Sequence, residues 1–130
     1  MAKQKIQISD IYRFKLVSDP QISPDGSRVV FVVETMHKVK RKYYTNLWLV
    51  PSTGGRARKL SHGKKNDNSP RWSPDGESVA FISKRNEASQ IWLLPMEGGE
   101  ARQLTRLPKG KVSSIKWSSD GKEIGFLFHP

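Results

Sequence analysis

Ser23-Pro24-Asp25-Gly26 returns as Ser73-Pro74-Asp75-Gly76 and again, with one replacement, as Ser118-Ser119-Asp120-Gly121. More than the turn is repeated. Three residues past each glycine stands an aliphatic residue (Val29, Val79, Ile124), and five residues past it a phenylalanine (Phe31, Phe81, Phe126). A second block follows. Leu47-Trp48-Leu49-Val50-Pro51 matches Ile91-Trp92-Leu93-Leu94-Pro95, Gly54-Gly55 matches Gly98-Gly99, and Ala57-Arg58-Lys59-Leu60-Ser61 matches Ala101-Arg102-Gln103-Leu104-Thr105. Self-similarity of this kind means a small structural unit stacked on copies of itself, each covering the apolar face of the next.

The residues between the landmarks give the unit its content. Pro pre-sets φ at the second turn position, Asp accepts from nearby N–H groups, and Gly takes the positive φ that follows. Pro70–Ser73, Ser78–Lys84, Gln90–Met96 and Ala101–Thr105 then read as four short strands, the second and third rich in β-branched and aromatic residues. Glu97-Gly98-Gly99-Glu100 is a second tight turn. Val79-Ala80-Phe81-Ile82 is apolar at every position, as expected of a strand covered on both faces. Gly26 and Gly76 are 50 residues apart but Trp48 and Trp92 only 44, so segment 34–46 of the first repeat is read as an enlarged loop. Leucine-rich solenoids and helical repeats are excluded by the missing Leu-x-x-Leu-x-Leu pattern and the missing 3.6-residue period.

Four strands in about 44 residues is the pattern of a β-propeller blade. The expected fold is all-β: a partial β-propeller of two four-stranded antiparallel blades and the first half of a third, preceded by a short N-terminal helix. The expected divisions are 1–19 (N-terminal segment, with a helix over Ile11–Lys15 capped by Ser9 or Asp10 and stopped at Asp19-Pro20), 20–66 (blade 1), 67–110 (blade 2) and 111–130 (two strands of blade 3). At 130 residues the chain is too short to close even a four-bladed ring. The expectation is therefore an incomplete large domain rather than a complete small one. The incomplete stack is expected to self-associate through exposed blade faces and the apolar edge Phe126-Leu127-Phe128.

Composition narrows the chemistry. The chain has no cysteine, which excludes disulfides and thiolate nucleophiles. No apolar run is long enough to span a bilayer, and no apolar stretch of signal-peptide type follows the basic start Met1-Ala2-Lys3-Gln4-Lys5. A cytoplasmic location with no membrane partner is expected. The net charge is +11, and residues 1–66 hold 14 Lys and Arg against 4 Asp and Glu. The densest cluster is Lys38, Lys40, Arg41 and Lys42, followed by Tyr43 and Tyr44. It is read first as a solvated loop, with contact to a partner surface or acidic ligand as the sharper alternative. Cations beside aromatics also suit single-stranded nucleic acid, but one short cluster disfavours that partner.

The Trp-Ser-Pro-Asp-Gly turn, the following Phe, the Ile-Trp strand, the Glu-Gly-Gly-Glu turn and the closing Leu-Thr resemble the propeller repeats of the prolyl oligopeptidase family of serine peptidases. The opening Asp10-Ile11-Tyr12-Arg13-Phe14, with Val17 through Gly26, resembles its acylaminoacyl-peptidase branch. The repeat also resembles that of the Tol-system periplasmic propeller protein, so an independent protein-binding module stays open beside the peptidase reading. The peptidase resemblance implies a propeller that limits access to a C-terminal α/β-hydrolase domain carrying the catalytic Ser, Asp and His. This sequence has no Gly-x-Ser-x-Gly elbow. No catalytic residue is carried over, and the chain alone is expected not to be an enzyme. Peptides are admitted as partners, as are further blades and a hydrolase domain if the chain is a fragment.

Other candidates are weaker. His37, His62 and His129 lack partners at metal-ligand spacing, so no metal or cofactor is expected. Ser23, Ser73 and Ser118 recur as turn residues rather than as a nucleophile beside a base. Asp25, Asp75 and Asp120, with Gly26, Gly76 and Gly121, are assigned to turns rather than to paired carboxylates. Phe31, Trp48, Trp72, Phe81, Trp92, Trp117 and Phe126 recur at fixed strand positions and are assigned to blade packing. The glycine pairs are not followed by Lys-Ser/Thr or a helix, so they are not phosphate loops.

Overall fold

The computed structural model describes residues 15–37, 41–62, 65–86 and 88–130. All regular structure among them is β. The first sheet is β1 (Lys15–Ile22), β2 (Arg28–Met36), β3 (Tyr43–Pro51) and β4 (Arg58–Lys59), hydrogen-bonded in chain order. The second repeats it with β5 (Asp67–Trp72), β6 (Ser78–Asn86), β7 (Ala88–Pro95) and β8 (Arg102–Gln103). A hairpin of β9 (Lys111–Trp117) and β10 (Ile124–His129) begins the pattern a third time. Every pairing within the sheets is antiparallel, and the register repeats: Phe31 faces Trp48 as Phe81 faces Trp92.

The stack is built by period-two alternation with both faces apolar. Val79 and Phe81 of β6 point to the first sheet, where they meet Val30, Val32, Leu47 and Leu49. Ala80 and Ile82 point the other way, toward Val112 and Ile115 of the hairpin. Val79, Ala80 and Phe81 are wholly buried. The same alternation on β2 turns Val30 and Val32 toward the second sheet, so Val29 and Phe31 lie on the opposite face of the first. No described element packs against that face. Leu16, Val17 and Ile22 of β1 are more than half exposed. Successive turns stack at one end: a Cβ on Gly76 would meet Pro24 at 3.6 Å, and one on Gly121 would meet Pro74 at 3.5 Å.

The structure differs from the sequence reading in two places. Most of the helix expected over Ile11–Lys15 lies outside the described residues, but Lys15 itself opens β1. This strand runs through Asp19-Pro20 instead of starting after it. A bulge with Asp19 at φ 49° absorbs the irregularity, and β1 is an edge strand, where proline is tolerated. Ser69 and Ser114 repeat the positive φ at the matching places of β5 and β9. Second, much of segment 34–46 is not loop. Thr35 pairs with Tyr44 and Met36 with Tyr43, so the strands take up both ends of the segment, and the added length of the first repeat falls mainly between Met36 and Tyr43. Cross-strand pairs of β-branched and aromatic side chains favour that outcome.

Candidate functional site

The chain meanders, so each sheet has a turn end and a loop end. The β1–β2, β5–β6 and β9–β10 turns lie at the first. There Ser23 Oγ–H donates to Asp25 Oδ1 (2.7 Å), Ser27 donates to the same oxygen through N–H (3.0 Å) and Oγ–H (2.7 Å), and Arg28 N–H donates to Ser23 Oγ (3.0 Å). Ser73 and Asp75 repeat this with Glu77 and Ser78, as do Ser118 and Asp120 with Lys122 and Glu123. Gly26, Gly76 and Gly121 follow with φ of 74–76°. All three serine hydroxyls therefore donate to a turn carboxylate.

These bonds favour the ionised carboxylates. The Ser23 hydroxyl, helped by Ser27, holds Asp25 down at about 2, and Ser73 and Ser118 lower Asp75 and Asp120 in the same way. A lowered folded-state value stabilises the fold above the unfolded carboxylate value of about 3.9, and the gain disappears as pH falls through the folded value. Carbon-13 carboxyl shifts followed from pH 6 downward should show all three titrating late, Asp25 at about 2. Alanine at Ser23 should raise the Asp25 midpoint; an unmoved midpoint would remove the hydroxyl as its cause.

The blade aromatics divide by position. Trp72 Nε1–H donates to Gln21 O (2.9 Å) and Trp117 Nε1–H to Arg71 O (3.0 Å), so each ties its sheet to the first strand of the preceding one. Asp19 and Arg71 pair across the same joint at 2.8 Å, and Arg28 lies 5.0 Å over the Trp72 ring. Phe81 is buried and Trp92 packs beside it, while Phe126 is half-buried against the second sheet. Phe31 and Trp48 sit on the outer face of the first sheet, with Lys15 and Lys59 over the Trp48 ring at 5.6 and 5.7 Å.

The loop end carries the cations. His37 N–H donates to Lys42 O (2.7 Å) and Arg41 N–H to His37 O (2.8 Å), with Arg41 at φ 51°. His37 meets Tyr44 edge-on at 5.9 Å, and Arg41, Lys42 and Tyr43 are exposed. Lys38 and Lys40 lie outside the described residues. At the same end lies a buried group that belongs to none of the repeated motifs. Asp67 and Ser83 are wholly enclosed; Ser83 Oγ–H donates to Asp67 Oδ1 (2.5 Å), and Arg85 donates to Ser83 Oγ (3.1 Å) and Asp67 Oδ2 (3.3 Å). The Arg85 guanidinium covers Trp92 at 4.6 Å. It helps to wall a cavity of about 450 Å³ with Leu60, His62, Lys65, Leu94 and Ala101. The signal was present in the repeat: where blade 2 pairs Asp67 with Ser83, the others pair Val17 with Val33 and Val112 with Phe128.

A second cavity, of about 730 Å³, lies between the second sheet and the hairpin, lined by Ile91, Leu93, Trp117 and Phe126 among others. At the matching joint between the first two sheets, Trp92 and Leu94 of β7 are packed. Asp75 and Asp120 also line the cavity, each held by its turn serine. No group of three or more His, Asp or Glu able to hold a metal occurs among the described residues, and no helix among them is long and apolar enough to cross a membrane.

Comparison with known proteins agrees with this architecture. Residues 35–129 match the family model described as the Tricorn protease N-terminal beta propeller domain. The Bacillus subtilis (strain 168) protein named uncharacterized peptidase YuxL is 42% identical over 123 residues, which are 94% of this chain and 19% of that protein. Acylaminoacyl peptidase of Pyrococcus horikoshii superposes with a TM-score of 0.71 at 23% identity, over 88% of this chain and 17% of that one. The β-propeller domain of the Trilobed protease from Pyrococcus furiosus superposes with a TM-score of 0.68 at 24% identity, over 85% of this chain and 34% of that one. The chain thus spans about a fifth of its Bacillus relative. With its repeated blades, stacked turns and matched residues, the chain belongs to the Tricorn protease N-terminal β-propeller domain family.

Proposed function

We propose that this chain is the non-catalytic propeller part of a serine peptidase of the acylaminoacyl-peptidase type, where it restricts which substrates reach a hydrolase domain. The observation that carries the reading is the family match over residues 35–129 in a chain whose repeated serines and aspartates are engaged in turns. The test has two arms. The chain alone should neither hydrolyse acylated aminoacyl substrates nor take up a fluorophosphonate label. In a full-length peptidase carrying these blades, Trp72→Ala should loosen the joint to Gln21 and admit longer peptides. Labelling of the isolated chain, or a size limit unmoved by loosened blades, would contradict the reading. Cytoplasm is the compartment it expects; a cysteine-free chain needs no oxidising one.

The exposed cluster of Arg41, Lys42 and Tyr43, with Lys38 and Lys40 nearby in sequence, supports a second element: contact with an acidic partner surface at the loop end. Binding that is unchanged, in strength and in salt response, after alanine replaces the four cations would end that idea. The face bearing Phe31 and Trp48 supports self-association of the isolated chain, because the matching face of the second sheet is covered by a neighbouring blade. Light scattering should show the mean mass rising across the micromolar range; a constant monomer mass would contradict it.

A further inference from the structure

Asp67, Ser83 and Arg85 break the repeat with a polar group. Two of the three repeats fill the matching pair with Val17–Val33 and Val112–Phe128. A wholly buried carboxylate is costly compared with an apolar pair of similar size, because desolvation offsets most of the attraction to its partner. What the polar group achieves is placement. Asp67 and Ser83 grip one side of the Arg85 guanidinium, and the Trp92 ring supports its face at 4.6 Å.

The cavity beside it is amphipathic. Arg85, Lys65 and His62 bring cationic or hydrogen-bonding heads, and Leu60, Leu94 and Ala101 bring an apolar wall. Neither Lys65 nor His62 forms an ion pair among the described residues. Trp92, which also lines the cavity, keeps a buried Nε1–H that has no acceptor among the described residues. Buried donors are nearly always partnered, so an orphan calls for an explanation. The carboxylate that balances this corner, Asp67, is sealed behind Arg85. Among the described residues, Glu100 is the one acidic side chain lining the cavity.

We propose that Arg85, fixed by Asp67 and Ser83, forms with Lys65, His62 and the apolar wall of this cavity a binding site for a small organic carboxylate. Charge-assisted contacts from a fixed guanidinium suit a carboxylate, and the leucines suit a short aliphatic body. Inorganic phosphate shares the charge but lacks that body. The inference stands apart from the peptidase reading, since it concerns a joint between blades.

The test is a titration of the nitrogen-15-labelled chain with isovalerate, isovaleramide and inorganic phosphate, read at the Trp92 indole N–H, which Trp92→Phe assigns. Isovalerate should shift that resonance saturably, with the amide and phosphate each at least about tenfold weaker. Lys65→Ala should weaken isovalerate without loss of fold. The triple variant Asp67→Val/Ser83→Val/Arg85→Thr, which restores the residues of blade 1, should fold and lose the saturable shift. Equal binding of the amide would remove the charge from the account, and equal binding of phosphate would remove the apolar wall. A triple variant that binds like the parent, or no saturable shift at all, would overturn the site.

Discussion

Phe81→Ala should cost about 3–5 kcal/mol of folding stability, whereas Phe31→Ala, at the same position of the repeat, should cost less than half as much. Phe81 is wholly enclosed among Val32, Leu47 and Leu94, so its loss leaves a cavity that neighbours on both sheets must collapse to fill. Phe31 lies on the outer face of the first sheet and already touches water. Urea unfolding of the two variants decides the matter. For a domain with a total of about 5–15 kcal/mol, the larger loss is plainly visible in the midpoint. Equal losses would mean that the outer face is as well covered as the inner one, and that the blades do not stack as described.

The second large effect concerns the buried polar corner. Asp67→Val alone should destabilise by about 3 kcal/mol, because it leaves the Arg85 charge and the Ser83 hydroxyl without their acceptor. The value falls at the low end for a broken buried pair, since Arg85 is 19% exposed and can turn toward water. Replacing all three residues by those of blade 1, with Val at 67 and 83 and Thr at 85, should recover the loss and leave the chain as stable as the parent or more so. A single variant without penalty would show that the pair is weak. A triple variant as poor as the single would show that blade 2 needs the polar group for folding, which would take away the argument that it serves a ligand.

The parts of this fold that could be read in the sequence are those set by local chemistry. Ser-Pro-Asp-Gly forms its turn from its own hydroxyl, carboxylate and positive φ, so three copies announced three hairpins. The uninterrupted apolar run Val79-Ala80-Phe81-Ile82 likewise announced a strand covered on both sides. What depends on distant residues was hidden. β1 begins at Lys15 because its ladder with β2 continues past a bulge at Asp19, and that ladder pairs Lys15 with Thr35. The length of the β2–β3 hairpin rests on pairs such as Thr35 with Tyr44, which spacing alone reads as loop. Asp67 meets Ser83 across 16 positions, and neither belongs to any motif. Only their departure from Val17 and Val33 marks them, and that mark becomes visible once the register shows which residues correspond.

Amide hydrogen exchange under native conditions tests the stack most directly. Protection follows burial and cooperative contact, and β6 and β7 have neighbours on both faces. Their amides, from Val79 to Ile82 and from Ile91 to Leu94, should exchange slowest. β2 and β3 should follow, with the edge strands β1 and β10 fastest. A chain in which β2 and β3 outlast β6 and β7, or in which protection is uniform across the three units, would contradict an arrangement of repeated blades with the second enclosed between the others.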